Sequence, residues 1–294
     1  GVPAGHALPA VHDGGGGGVL NAQALQQHGV DQQVSVKVHV GGHHLPTAPA
    51  AALGGAGGVD PGGMGHSVDT SAQGRVVLSA GHLAPVYYSV LARAGYFPVS
   101  ELGTLRKMGS RLQGHPSVRR GLPGITQASG SLGQGVSVAA GLALAKKLDG
   151  DKKHFVYVLC GDGESEEGQI WEGAEFATHH ALGNLIGMTD WNGQQIDGST
   201  ESVCGGGDLQ LKWQAFGWNT VTADGHDMEA IVTAFAKAKE MGKKTNRPTM
   251  ILFKTDMGHG VDFMAGTHKW HGKAPSQEQC NEALAQLEET LGDY

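Results

Sequence analysis

Residues 155–171 read Phe155-Val-Tyr-Val-Leu-Cys-Gly-Asp-Gly-Glu-Ser-Glu-Glu-Gly-Gln-Ile-Trp171. Phe155 to Cys160 is an unbroken apolar run, which suits a strand buried on both faces. Gly161-Asp162-Gly163 follows at once, and helix-forming sequence runs from about Glu166 to His180. Asn184 to Asp190 is the next strand. Upstream, Ser131 to Leu148 is rich in Ala, Leu, Val and Gly on all sides, the composition of a buried helix. Arg75 to Leu78 reads as a short strand and Pro85 to Ala94 as a helix. Downstream, Leu209 to Phe216 is helical, Trp218 to Thr222 a strand, Asp227 to Met241 a helix with an Asp cap, and Pro248 to Lys254 a strand. Ser276 to Leu291 closes the chain as a helix with a Ser276/Gln279 capping box, and Cys280, Leu284, Leu287 and Leu291 share one face. Strands alternating with helices predict an α/β fold, a parallel sheet flanked by helices. Ligands of such sheets bind beyond the carboxyl ends of the strands. The loops after Gly161, Asp190 and Lys254 therefore belong to one rim.

Composition sets limits around this core. The chain has 294 residues and a formal charge of −7, which argues against nucleic acid or an anionic membrane as its main partner. No apolar run is long enough to span a bilayer and no secretory pattern is read at the start, so a cytoplasmic protein is expected. The three cysteines, Cys160, Cys204 and Cys280, lack metal-type spacing and read as free thiols. Glycine is abundant, 49 residues, and 18 of these lie in residues 1–74. That segment has no aromatic residue, and Gly14 to Gly18 is uninterrupted glycine. It reads as low-complexity and as the least ordered part of the chain, with one short strand over Val34 to Val40. The expected organisation is this segment, an α/β domain over 75–275, and a C-terminal helix of that domain over 276–294.

The rim carries the chemistry. Asp162 sits at a strand end, and Asn192 lies thirty residues on, just past the next strand. If the strands are neighbours, a carboxylate oxygen and an amide oxygen meet there, a donor pair suited to Mg²⁺ or Ca²⁺. Gly163 lets backbone approach a phosphate at a helix start. On its own the tripeptide also reads as a tight strand–helix turn with a capping aspartate.

The surroundings of the tripeptide decide between these readings. Gly161-Asp162-Gly163 through Glu167-Gly168 to Trp171-Glu172 resembles the thiamine-diphosphate enzymes, and within them transketolase. Asp190-Trp191-Asn192-Gly193-Gln194 to Gly198 is similar to the matching second loop. Four further stretches resemble transketolase signatures: Leu78 to His82, Gly114-His115-Pro116, Gly130 to Gly135, and Lys269 to Pro275. All six stand in the family's order across residues 75–275. The family's N-terminal Gly-His-Pro-Gly-Gly motif is not matched: only Gly41-Gly42-His43-His44-Leu45-Pro46 stands at about the right distance, without recognisable flanking helices, and neither His43 nor His44 is assigned the role of the family's active-site histidine there. Ala80 stands where the family more often has Lys or Asn.

The resemblance implies the thiamine diphosphate-binding fold and a set of roles. Asp162, the Asn192 side chain and the Gln194 carbonyl would bind Mg²⁺, with Ca²⁺ as a substitute. His82, Gly130, Leu132, Gly163, Glu167, Asn192, Ile196 and His271 would surround thiamine diphosphate. His82, His115, Glu167 and His271 would serve catalysis, with His268 a further candidate. Glu167 would join an acidic network at a subunit interface. A glutamate in a first helical turn is otherwise a solvated partner of the helix dipole.

The implied activity is transfer of a two-carbon ketol unit from a ketose phosphate to an aldose phosphate, as in the pentose phosphate pathway. The chain ends where the diphosphate-binding domain ends. That matches a split transketolase whose pyrimidine-binding domain lies on a separate C-terminal subunit, in an α₂β₂ assembly. Two other readings stay open. One is a subunit of another thiamine-diphosphate enzyme, either 1-deoxyxylulose-phosphate synthase-like or a 2-oxo acid dehydrogenase alpha subunit. The other is an inactive partner-binding paralogue.

Overall fold

The computed structural model describes residues 74–287, together with the backbone of a short antiparallel pair, His39–Val40 with His43–His44. Apart from Gly74 and this pair, the expectations for residues 1–74 fall outside the described residues. The same holds for the end of the last helix, including Leu291.

Five strands form the central sheet: β1 (Arg75–Leu78), β2 (Val156–Gly161), β3 (Leu185–Trp191), β4 (Asn219–Asp224) and β5 (Thr249–Lys254). Their order across the sheet is β1-β2-β3-β5-β4, and every pairing is parallel. Between them lie α1 (Ala84–Arg93), α2 (Gln134–Leu148), α3 (Gly168–His179), α4 (Leu209–Ala215) and α5 (Met228–Thr245), and α6 (Gln277–Gln286) follows β5.

The strand pleat explains the two cores. Successive side chains of a strand point to opposite faces. Val156, Val158 and Cys160 of β2 and Met250 and Leu252 of β5 pack with Val136, Ala139, Ala140 and Ala143 of α2 and Ile170, Ala174 and Ala177 of α3. Their neighbours Tyr157 and Ile251 point the other way, onto Ala234 and Ala238 of α5. A strand covered on both faces must be apolar throughout, which is why Phe155 to Cys160 shows no alternation in sequence. Among the described residues, no helix is long and apolar enough to cross a membrane.

Helix boundaries follow local chemistry. Asp227 accepts the Glu229 and Ala230 N–H groups and starts α5, and Ser276 and Gln279 form the full capping box of α6. Helix α2 begins at Gln134 rather than Ser131, because Gly133 turns left-handed at φ +83°. Between β2 and α3 the chain makes a tight turn, Gly163–Glu166, so α3 starts at Gly168 and not at Glu166.

Candidate cofactor site

Residue Gly161 of β2 stands opposite Asp190 of β3, so the Asp162 and Asn192 loops emerge side by side at the carboxyl rim. Asp162 is 8% exposed. Its Oδ1 accepts the Gly163 N–H at 2.8 Å and its Oδ2 the Gly193 N–H at 2.6 Å. Asn192 Oδ1 accepts the Gln194 N–H at 2.8 Å, and its Nδ2 donates to Asp190 at 3.2 Å. Asp190 in turn accepts the Thr255 hydroxyl. Burial pushes the Asp162 carboxyl up to about 7; the Gly193 and Gly163 N–H groups oppose this and Asp190 adds to it. Burial also raises Asp190. A carboxylate oxygen, an amide oxygen and the backbone of Gln194 thus share one corner. All are hard donors, and Asp162 keeps lone pairs beyond its two N–H partners, so the set fits Mg²⁺. A Cβ on Gly163 would lie 3.0 Å from that of Gln195, so the turn is closely packed against the second loop.

Three of the sequence-selected histidines converge nearby. His82 lies in the turn Gly81–Leu83 after β1, and His271 follows the turn His268–Trp270. Their rings are 5.5 Å apart. Burial lowers the His82 pKa to about 4, with His271 and His115 contributing, so the ring is neutral at pH 7. His271 is lowered by burial and then by His268, whose carbonyl accepts the His271 N–H at 2.8 Å. The Nδ1 of His271 is enclosed without a hydrogen-bond partner among the described residues. Gly130 lies against His115: a Cβ there would be 3.5 Å from the imidazole. A Cβ on Gly81 would fall 2.5 Å from the Gly130 nitrogen, so the two backbones touch and Gly81 must be glycine.

Glu167, Leu132 and Ile196 differ from these. Glu167 is the N-cap residue of α3, makes no side-chain cap bond and is exposed in this chain. Its Cβ would lie 2.9 Å from a Cβ on Gly133, so it leans on the loop before α2. Leu132 and Ile196 are 37% and 50% exposed. The buried glutamate of the stretch is Glu164, 4% exposed, which sequence reasoning did not single out. It accepts the Ser79 hydroxyl and the N–H groups of Gly133 and Gly161. Nothing in the run Glu164-Ser165-Glu166-Glu167 distinguishes it; contact with Gly133, thirty-one positions away, does.

A second histidine cluster, His226, Asp256 and His259, occupies the loops after β4 and β5. There the His226 Nε2 already accepts the Asp256 N–H at 2.7 Å, and the two rings stack face to face at 3.8 Å. Stacked rings do not aim two lone pairs at one point, so this arrangement differs from the oxygen-donor corner at Asp162.

Comparison with known proteins follows the same outline. The transketolase, thiamine diphosphate binding domain family matches residues 67–292. The chain belongs to this family. It is 42% identical over 230 residues to the 6-deoxy-6-sulfo-D-fructose transketolase subunit SqwG of Clostridium sp. (strain MSTE9), covering 78% of this chain and 80% of that protein. It is 38% identical over 217 residues to an apulose-4-phosphate transketolase subunit of Phocaeicola vulgatus, covering 74% and 75%. Against single-chain relatives it is shorter: it spans 34% of transketolase-like protein 2 of Homo sapiens, at 38% identity. The solved transketolase of Campylobacter jejuni superposes with a TM-score of 0.68 at 32% identity, over 74% of this chain and 34% of that one. As a member of this family, the chain carries a thiamine diphosphate-binding domain.

Proposed function

We propose that this chain is the cofactor-binding subunit of a split, Mg²⁺-dependent transketolase that moves a two-carbon ketol unit from a ketose phosphate to an aldose phosphate. The observation that carries this is that the Asp162–Asn192 corner and His82 follow neighbouring parallel strands at one sheet rim, with His115 and His271 grouped around His82. Thiamine diphosphate, when bound, supplies the nucleophilic carbon for breaking and making the C–C bond. The chain's own residues do the rest. Asp162, Asn192 and the Gln194 carbonyl hold the cation that neutralises the diphosphate. Gly163 and Gly130 let backbone close on the cofactor, with Leu132 and Ile196 against it. Neutral His82 and His271 donate to or accept from diphosphate and sugar oxygens, and His115 lies beside Gly130 to act on the donor. Glu167, exposed on this chain, meets the acidic network of a neighbouring subunit.

The two relatives named as subunits support the split reading, since the chain covers three quarters or more of each. We place residues 75–275 in one diphosphate-binding unit closed by the C-terminal helix, whose Ala283 packs with Val261 and Met264. Its partner is a transketolase C-terminal subunit bearing the pyrimidine-binding domain, in an α₂β₂ assembly. Free thiols at Cys160, Cys204 and Cys280 suit a reducing, cytoplasmic compartment. The test is a titration of thiamine diphosphate with and without Mg²⁺ on the chain mixed with its partner, followed by a ketol-transfer assay with ketose phosphate donors. Mg²⁺-dependent binding and transfer are expected. Pyruvate decarboxylation in place of transfer would overturn the activity.

A further inference from the structure

We infer that Glu164 is a positioning residue of the cofactor site, a single buried carboxylate that locks together the three segments from which the cofactor contacts project. The inference rests on the cofactor reading above. Glu164 Oε1 accepts the Gly133 N–H at 2.8 Å and the Ser79 hydroxyl, and Oε2 accepts the Gly161 N–H at 3.0 Å. The Ser79 oxygen in turn accepts the Gly135 N–H at 3.1 Å. Each bond reaches a different part of the site. Ser79 directly follows β1, three residues before His82. Gly133 closes the loop that carries Gly130 and Leu132. Gly161 precedes Asp162.

The chemistry of this network calls for a carboxylate. All three hydrogen bonds to the Glu164 side chain come from donors, and only an ionised carboxylate is acceptor-only at both ends. Helix α2 has a glycine at its N-cap and no side-chain cap of its own. Its first N–H groups are among those a helix leaves unpaired, and here Glu164 and Ser79 take those of Gly133 and Gly135 from outside the helix. The start of α2 is therefore already neutralised from within the protein, and its Gly133 and Gly135 N–H groups are not offered to the diphosphate. Packing leaves no slack: a Cβ on Gly135 would lie 2.4 Å from that of Ser79, and one on Gly81 2.5 Å from the Gly130 nitrogen. A shift of any one segment is transmitted to the other two.

Glu164→Gln tests this. Glutamine keeps the size of the side chain, but its amide group meets only donors on one side, so a single junction opens. The assembled protein is titrated with thiamine diphosphate at saturating Mg²⁺, and activity is measured as a function of cofactor concentration. We expect the dissociation constant and the cofactor KM to rise about tenfold or more, the penalty of leaving one buried donor unpaired, with kcat falling by less. A contact that served only the fold would lower the melting temperature of the chain and leave cofactor affinity within twofold of wild type, and that result overturns the inference. If the glutamine variant does not fold, Ser79→Ala removes the two Ser79 bonds, to Glu164 and from Gly135, and keeps the carboxylate. It should raise the dissociation constant at least about threefold, and wild-type affinity would again overturn the inference. Wild-type protein that fails to bind thiamine diphosphate at all would count instead against the cofactor reading.

Discussion

At the residue scale, the site divides into groups that sequence spacing exposes and groups that only the fold selects. Asp162 and Asn192 were legible because each directly follows an apolar strand, and neighbouring parallel strands bring their ends together. Glu164 was not legible, since four glutamates crowd residues 164–172 and only a contact across 31 residues buries one of them. Two predictions belong here. Asp162→Ala removes the one carboxylate of the proposed cation set. It should weaken Mg²⁺-dependent cofactor binding by more than the ~100-fold that loss of an outer partner of a metal ligand costs. Unchanged affinity by calorimetry would refute the metal assignment. The second concerns His82, whose pKa falls from 6.5 to about 4 through burial, His271 and His115. Between these values the unfolded chain holds a proton that the folded chain does not, so stability falls as pH drops from about 6.5 towards 4. The full loss is on the order of 3 kcal/mol. Urea unfolding at pH 7 and pH 4.5 should show a smaller acid loss in His82→Gln than in wild type. Equal losses would show that His82 is as easily protonated in the folded protein as in the unfolded chain.

At the element scale, α2 is the helix whose sequence said most and misled most. Its apolar surface marked it as buried, and Val136, Ala139, Ala140 and Ala143 are indeed fully buried. Its start was misplaced because Ser131-Leu132-Gly133 has the same small and apolar character as the helix, and the left-handed Gly133 that separates them cannot be told from any other glycine by pattern. One stripe of α2 stays open: Val138 is 42% exposed and Leu148 78%. Two glycines of this helix therefore predict opposite outcomes. Gly135→Ala places a methyl 2.4 Å from Ser79 and should cost about 1–3 kcal/mol despite the better helix propensity of alanine. Gly141 has nothing within 4 Å of an added Cβ, so Gly141→Ala should stabilise the isolated chain by about 0.5–1 kcal/mol. Denaturant midpoints of the two variants with the same sign would contradict the packing described for α2.

At the scale of the whole molecule, the apolar groups left in solvent point to what completes it. Leu132 at 37%, Val138 at 42%, Phe176 at 42% and Ile196 at 50% exposure come from the loop before α2, from α2, from α3 and from the Asn192 loop, the segments that form the proposed cofactor site or continue from it. Glu167 stands exposed among them at the start of α3. Small residues along the open stripe of α2, Gly141 and Ala145, permit another backbone to approach closely, and fully buried interface centres are depleted in charge in the same way. A second polypeptide seated there would bury these groups and enclose the cofactor. The chain alone should then show no ketol transfer, and mixing it with its partner, Mg²⁺ and thiamine diphosphate should create activity that neither has alone. Gly141→Leu sharpens the test, because an added side chain at an open position leaves the isolated fold intact but obstructs the approach. Its melting temperature should be no lower than that of wild type, since leucine is the better helix former, while reconstituted activity and co-elution with the partner fall together. Full turnover by this chain as a homo-oligomer would refute the split arrangement, and unimpaired reconstitution by Gly141→Leu would move the interface off α2.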